Sequence, residues 1–287
     1  MAFLAGLSCA YVNACDICGL GTTNYNPFLF PHLTKNYFSL NYLHRLYHIK
    51  TDEGVNKEYF NTLLASGQFT ISQKLQIGAT VPYQLNKLEN YSGTKNAIGL
   101  GDIILFSNFR LWNHQDRSNT QTVVIGAGIK LPTGEYTTTK NESIEDQNFQ
   151  LGTGSIDYVL NASYSLSYRK WIFSALTSYK YNTQNKANYR YGDVFTTGAT
   201  AVYRKELKKL SIAPYIQIMN EHQMNDANNH LLQSHSGGNV LYTGGGIDVN
   251  TKKIALGANY QFAAKQHLFG GEINAKPRLS VHLSFIL

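Results

Sequence analysis

Three ionisable residues stand on the polar side of segments whose other side is apolar: Asp102, Lys130 and Asp157. An ammonium set between two carboxylates can do two kinds of work. It can neutralise both acids and so knit together the chain segments that carry them, or it can offer charge to a polar group on a solute. If the segments are neighbouring antiparallel strands joined by a turn centred near Asp116, Asp102 falls opposite Lys130, and Asp157 opens the next strand at the same rim. Side chains placed this way stand about 5 Å apart, close enough to attract. The knitting role is the expected one, with Lys130 tying the rim to the adjoining loops. Gly126 and Gly128 share that face and carry no side chain, which leaves room for a loop, the N-terminal segment or a ligand.

Other groups offer less complete chemistry. Cys15-Asp-Ile-Cys18-Gly is a C-x-x-C pair whose thiolates can form a disulfide, cycle as a redox pair or supply half of a soft-metal site. Cys9 lies in a segment expected to be removed, so a zinc site at Cys15 and Cys18 needs His32 or ligands from a partner. In an oxidising compartment a local disulfide or two unused thiols is the plainer reading. Ser234-His235-Ser236, with Asn239 nearby, contains the residue types of a lipid hydrolase. Adjacent strand residues face opposite ways, so His235 and Ser236 could pair only in a loop. His44 and His48 fall on one face of a strand and could share a metal, although histidines at such positions more commonly hold none.

The elements that must position these residues alternate with period two. Val123, Ile125, Ala127, Ile129 and Leu131 share one face, with Thr122, Val124, Gly126, Gly128 and Lys130 on the other. Ile156, Tyr158, Leu160, Ala162, Tyr164, Leu166 and Tyr168 alternate in the same way with Asp157, Asn161, Ser163, Ser165 and Ser167. Segments of about ten residues with one apolar face and one small, hydroxyl-rich face have the length and sidedness of strands crossing a bilayer in a barrel. The composition agrees: of 287 residues only 15% are charged, Pro numbers 6, and Tyr and Gly reach 20 and 24. Beyond the first residues no apolar run is long enough for a spanning helix, so a membrane protein of this composition must cross with strands.

About twelve strands can be placed, near residues 36–48, 58–71, 75–85, 100–112, 121–131, 155–168, 171–182, 193–204, 210–220, 239–250, 254–265 and 276–287. Their connections alternate between short ones and longer ones rich in Asn, Gly, Ser and Thr, the latter including 50–57, 86–99 and 132–154. That alternation predicts periplasmic turns, extracellular loops and both termini in the periplasm. Aromatic residues gather at strand ends, as Tyr168, Trp171, Tyr179 and Tyr181 do, where interfacial girdles are expected. Arg169, Lys170, Arg204, Lys205, Lys208, Lys209, Lys252 and Lys253 concentrate in short turns, an arrangement suited to lipid headgroups and not to nucleic acid. The final strand puts Leu279, Val281, Leu283, Phe285 and Leu287 on one face. A chain stopping on such a strand resembles the C-terminal assembly signal of bacterial outer-membrane barrels.

The first residues read as a processing segment, with an apolar stretch from Ala2 to Val12 and cleavage expected after Ala14. The expected organisation is therefore a signal peptide over 1–14, whose true start could lie upstream because no basic residue precedes the apolar stretch. A periplasmic or plug segment over 15–35 and the barrel over 36–287 follow it.

Four motifs in order, Val81-Pro-Tyr83, Gly99-Leu-Gly-Asp102-Ile, Lys130-Leu-Pro-Thr-Gly134 and Leu151-Gly-Thr-Gly-Ser155-Ile-Asp157, resemble the outer-membrane transporter family associated with meta-pathway phenol degradation. Members are barrels distantly similar to the long-chain fatty-acid transporters, and the resemblance implies uptake of small, often hydrophobic solutes. The opening Cys15-Asp-Ile-Cys18-Gly looks like that of some relatives from Bacteroidetes-type bacteria, in which another cysteine is expected where Leu20 stands.

The expected protein is thus an all-β transmembrane antiparallel barrel in the outer membrane of a Gram-negative bacterium, passing or taking up a small solute through its lumen. The alternatives are a lipid hydrolase of the twelve-stranded outer-membrane phospholipase type and a closed structural or adhesive barrel acting through its loops. Expected partners are outer-membrane lipids, the solute and the barrel assembly machinery, for a chain that works as a monomer. No cofactor is expected beyond the soft metal that Cys15 and Cys18 leave open.

Overall fold

In the computed structural model, which describes residues 36–52, 54–137 and 149–287, the period-two alternation builds a closed antiparallel barrel of 12 strands. The strands β1 (Tyr37–Thr51), β2 (Gly54–Thr70) and β3 (Leu75–Asn90) are followed by β4, in two pieces, Gly93–Leu100 and Ile103–Gln115. Next come β5 (Asn119–Leu131), β6 (Asp157–Tyr168), β7 (Trp171–Tyr181) and β8 (Val194–Tyr203). The wall is completed by β9 (Ser211–Gln223), β10 (Gly238–Asn250), β11 (Ile254–Leu268) and β12, again in two pieces, Ile273–Ala275 and Arg278–Ile286. Each strand pairs with the next, and β12 returns to β1 over Tyr37↔Ile286 to His44↔Leu279. The expected leader, the Cys15 and Cys18 pair and the rest of segment 15–35 lie outside the described residues.

Sidedness follows the sequence. On β1 the buried Tyr37, Ser39, Asn41, Leu43 and Arg45 point inward, while Phe38, Leu40 and Tyr42 point outward and are exposed. The outward face is an apolar belt that includes Leu105, Ile125, Leu160, Phe173, Ile218 and Leu279. A band of that extent would be a liability in water; in hydrocarbon it is the required surface, since closure lets backbone groups bond to neighbouring strands. A closed barrel with this belt is built for the bacterial outer membrane.

One end carries the short connections, and there Leu287 N donates to Asn36 O at 2.9 Å. At the other, loop end, two segments expected to be loops are strand. The hairpin of β1 and β2 runs on to Thr51↔Gly54, and that of β3 and β4 to Asn90↔Gly93. Polarity hid these extensions, because their outward face is wet above the belt and their buried inward face mixes Asn56 and Asn86 with Ile49 and Leu88. Lys87 pairs with Glu89 at 2.6 Å and Tyr59 Oη donates to Glu89 at 3.3 Å across the strands. The long connections at this end are 132–156, 182–193 and 224–237, the last two tied by a small sheet of Tyr189–Arg190, Ala227–Asn228 and Leu231–Leu232.

The register of β4 on β5 differs from the expected one. Lys130 lies opposite Ile104, because the turn falls later than Asp116 and the register shifts between Arg110 and Trp112. The displacement at Lys130 is two residues, an even number, so Asp102 keeps its inward face and meets Lys130 diagonally. It is Asp157, expected only at the same rim, that lies directly opposite Lys130.

Candidate functional site at the loop end of the lumen

The charge cluster is assembled where three strands reach the loop end. Lys130 Nζ lies 2.6 Å from Asp102 Oδ2 and 2.7 Å from Asp157 Oδ2, and all three side chains are buried. Thr153, from the loop between β5 and β6, completes the group: its hydroxyl contacts Lys130 Nζ, and its backbone N–H donates to Asp102 Oδ2 at 2.9 Å. Asp102 Oδ1 accepts from Gly134 N at 3.0 Å, so one carboxylate holds both ends of that loop. Ser155 Oγ donates to Asp157 Oδ1 at 2.8 Å, and Thr183 N donates to the same oxygen at 2.9 Å. Asn185 Nδ2 reaches Thr153 O at 3.0 Å, which draws in the loop after β7. Each carboxylate is therefore satisfied by the ammonium and by N–H or O–H donors, the condition under which burying such a cluster is tolerable.

The glycines of the motifs serve close approach. A Cβ on Gly152 would lie 2.5 Å from Asp102 Oδ1 and 2.6 Å from Gly134 O, so neither Leu-Pro-Thr-Gly nor Leu-Gly-Thr-Gly could pack here with larger residues. The space over Gly126 is filled differently from expectation: the side chains of Asn108 and Asn161, from the flanking strands, meet above it. Gly128 faces Leu105 O, Phe106 and Ile104 at ordinary or tight contact.

Beside this cluster, inside the mouth, is an apolar cluster. Tyr47, Ile49, Phe60, Leu88, Val240, Tyr242, Leu268, Phe269 and Ile273 are all buried, and Phe149 from the tethered loop packs into them. The rings of Phe60 and Phe149 are 6.4 Å apart. Next to it Arg278 Nη1 pairs with Glu221 at 2.9 Å and its guanidinium lies 3.6 Å from the centroid of Tyr242. Nearer the turn end, His282 Nε2 meets Asp248 Oδ1 at 3.1 Å. They reach each other across the intervening β11 because the residue between them is Gly257.

Sequence reasoning missed Phe149, the Arg278–Glu221 pair and the Asp248–His282 pair. Glu221, Asp248, Arg278 and His282 do interrupt alternation, which was a usable signal for their inward face. The other candidates are apart from this site. Ser236 Oγ donates to Gln233 O at 2.7 Å and accepts from Asp226 N at 2.7 Å, so backbone groups occupy it, while His235 is exposed with φ of 66°. His44 and His48 share the outward face, with His44 Nδ1 at 2.7 Å from Asn61 Oδ1. Among the described residues no group of three or more His, Cys, Asp or Glu side chains could hold a metal ion.

A closed barrel with an outward apolar belt defines an outer-membrane protein. The chain belongs to the family described as "Putative MetA-pathway of phenol degradation", whose sequence model matches residues 47–276. Among solved structures it is similar to an outer membrane channel from Pseudomonas putida F1, with a TM-score of 0.68 at 13% identity, over 88% of this chain and 95% of that one. It is also similar to the beta domain of the Bordetella autotransporter BrkA, with a TM-score of 0.54 at 11% identity, over 88% of this chain and 100% of that one. No curated protein sequence matches it. At these identities the likeness is one of fold.

Proposed function

We propose that the barrel is a conduit for a small apolar or weakly polar solute, an aromatic one being favoured by the family's association with phenol degradation. The observation that carries this reading is the apolar cluster inside the mouth of the lumen. Water-filled pores for sugars or ions gain nothing from burying Phe60, Leu88, Phe149 and Val240 at their entrance. A solute that leaves water favours such a lining at roughly 25 cal/mol per Å² of apolar surface covered. Phe149 closes the cluster, and the loop carrying it is anchored by Asp102 and Lys130, so the ion cluster sets where the closing ring sits. In this reading Asp102, Lys130 and Asp157 are positioning residues and do not touch the solute.

Beyond the cluster the path follows the inward faces of β5 to β8. There Gly128, Ser163, Ser174, Ser178 and Gly198 are half-buried and small. Catalysis is not part of the proposal, since the serine that a hydrolase would need is held by backbone groups. The test is the initial rate of phenol or toluene uptake by intact cells, whose lipopolysaccharide leaflet slows direct diffusion, with and without the protein. Faster uptake that increases again in Phe149→Ala supports the conduit. Uptake equal to that of cells lacking the protein contradicts it and favours a closed structural or adhesive barrel.

A further inference from the structure

The cations of the turn end are not spread evenly around the rim. The turn between β6 and β7 and the connection between β8 and β9 carry Arg169, Lys170, Arg204, Lys205, Lys208 and Lys209 against a single carboxylate, Glu206, which Arg204 engages at 3.1 Å. Arg204 N donates to Lys170 O at 2.7 Å, so the two connections form one surface. Directly beneath, on the outward face, Tyr168, Trp171 and Tyr203 stand in one cross-strand row. Trp171 meets Tyr203 edge-on at 5.1 Å and stacks with Phe173 at 6.1 Å, and the guanidinium of Arg169 lies over Tyr168 at 5.3 Å.

The chain's other tryptophan gives a contrast. Trp112 sits opposite Val123 on the outward face near the same end, yet it stacks on His114, which pairs with Asp116 at 3.2 Å, and Arg117 is the one Lys or Arg of its turn. The turn beyond Trp112 adjoins the cationic surface, Arg169 N donating to Ser118 O at 3.2 Å, but the cluster of cations itself lies beyond Trp171.

We propose that the surface formed by these two connections binds the phosphate-bearing headgroup of an anionic phospholipid, with the acyl chains lying along Tyr168, Trp171 and Phe173. Only an amphipathic occupant matches both halves. Cations just past the belt attract phosphate, and the aromatic row immediately inside the belt offers flat apolar contact at the depth of the upper acyl chain. A nucleic acid or a free anion would use the cations and leave the row unexplained.

The test uses the whole chain in phosphatidylcholine vesicles doped with dibrominated phosphatidylglycerol or dibrominated phosphatidylcholine, which quench tryptophan on contact. The Trp112→Phe protein reports Trp171, and the Trp171→Phe protein reports Trp112. Trp171 is expected to prefer the anionic lipid by about fivefold at low salt, with the preference shrinking at high salt, while Trp112 shows no comparable preference. Adding Arg169→Gln, Lys170→Gln, Lys205→Gln and Lys208→Gln to Trp112→Phe should abolish the preference in a barrel that still migrates as folded without heating. Equal quenching of Trp171 by the two lipids, or a preference unchanged in the neutralised protein, overturns the proposal.

Discussion

The two sides of the lumen are built to opposite rules. The wall of β1, β2 and β10 to β12 turns in Arg45, Tyr47, Phe60, Tyr242 and Arg278, large side chains that are almost wholly buried against one another. The middle of the wall of β5 to β8 turns in Gly128, Ser163, Ser174, Ser178 and Gly198, which fill little space and stay half-buried. Asn108 and Asn161 meet over Gly126, and Ile172 and Val202 are buried toward the turn end. Cross-strand hydrogen bonding is similar on both sides, so the barrel as such does not require the difference. The crowded wall resembles the core of a soluble protein, where stability depends on volume and on satisfied charges. The small wall leaves space, and its side chains can change with little effect on stability. Function that depends on a path should therefore reside on the small side, and stability on the crowded side.

The largest expected effect breaks the crowded wall. Arg278→Met leaves Glu221 buried without its guanidinium and should cost about 3 to 5 kcal/mol, read as a lowered midpoint in urea unfolding from detergent or vesicles. Ser174→Ala on the opposite wall should stay within about 0.5 kcal/mol in the same assay. Equal effects would remove the distinction between the walls.

Lys130→Met comes next, at about 1 to 3 kcal/mol, since it leaves Asp102 and Asp157 facing each other. The loop over 132–156 should become more sensitive to protease while the barrel remains folded. Adding Asp102→Asn and Asp157→Asn should restore much of the protection, because the neutral set has no uncompensated charge, although an asparagine at position 102 can accept from only one of Gly134 N and Thr153 N, which bond to different oxygens of Asp102. If the triple variant is as sensitive as the single one, the cluster does not act as a neutralised unit.

Gly257→Ala is a smaller perturbation of the crowded side. The added methyl group would enter the space where Asp248 and His282 meet, and displacing either side chain should cost about 1 to 2 kcal/mol. Gly257→Ala with Asp248→Asn and His282→Gln should recover none of the steric part, which separates crowding from charge in urea midpoints.

How much of this could be read beforehand depended on what alternation encodes. A polar residue interrupting an apolar rhythm announces its face, so Asp102, Lys130 and Asp157 could be assigned to the lumen at one rim. Alternation does not encode depth or partners across the barrel. Glu221 and Arg278 are separated by 57 positions and by two intervening strands, and nothing local joins them. Phe149 stands in a polar loop, where its contact with Phe60 is a product of the loop's fold. The ends of β1 to β4 were misjudged because strands standing above the belt lose their apolar face. The register at Lys130 was displaced by two because neither the end of the turn nor the irregularity between Arg110 and Trp112 has a distinctive residue. The face of Asp102 survived that displacement because the shift was even.

The central claim, that solute moves along the small-residue wall, is tested most directly by filling it. Ser163 faces the lumen between Val124 and Leu176 on the adjacent strands, away from the ion cluster. Ser163→Trp should bring toluene uptake by intact cells down to the level of cells lacking the protein, while the barrel's unfolding free energy in urea changes by less than about 1 kcal/mol. Uptake at the unmodified rate through a correctly inserted Ser163→Trp barrel would contradict the account.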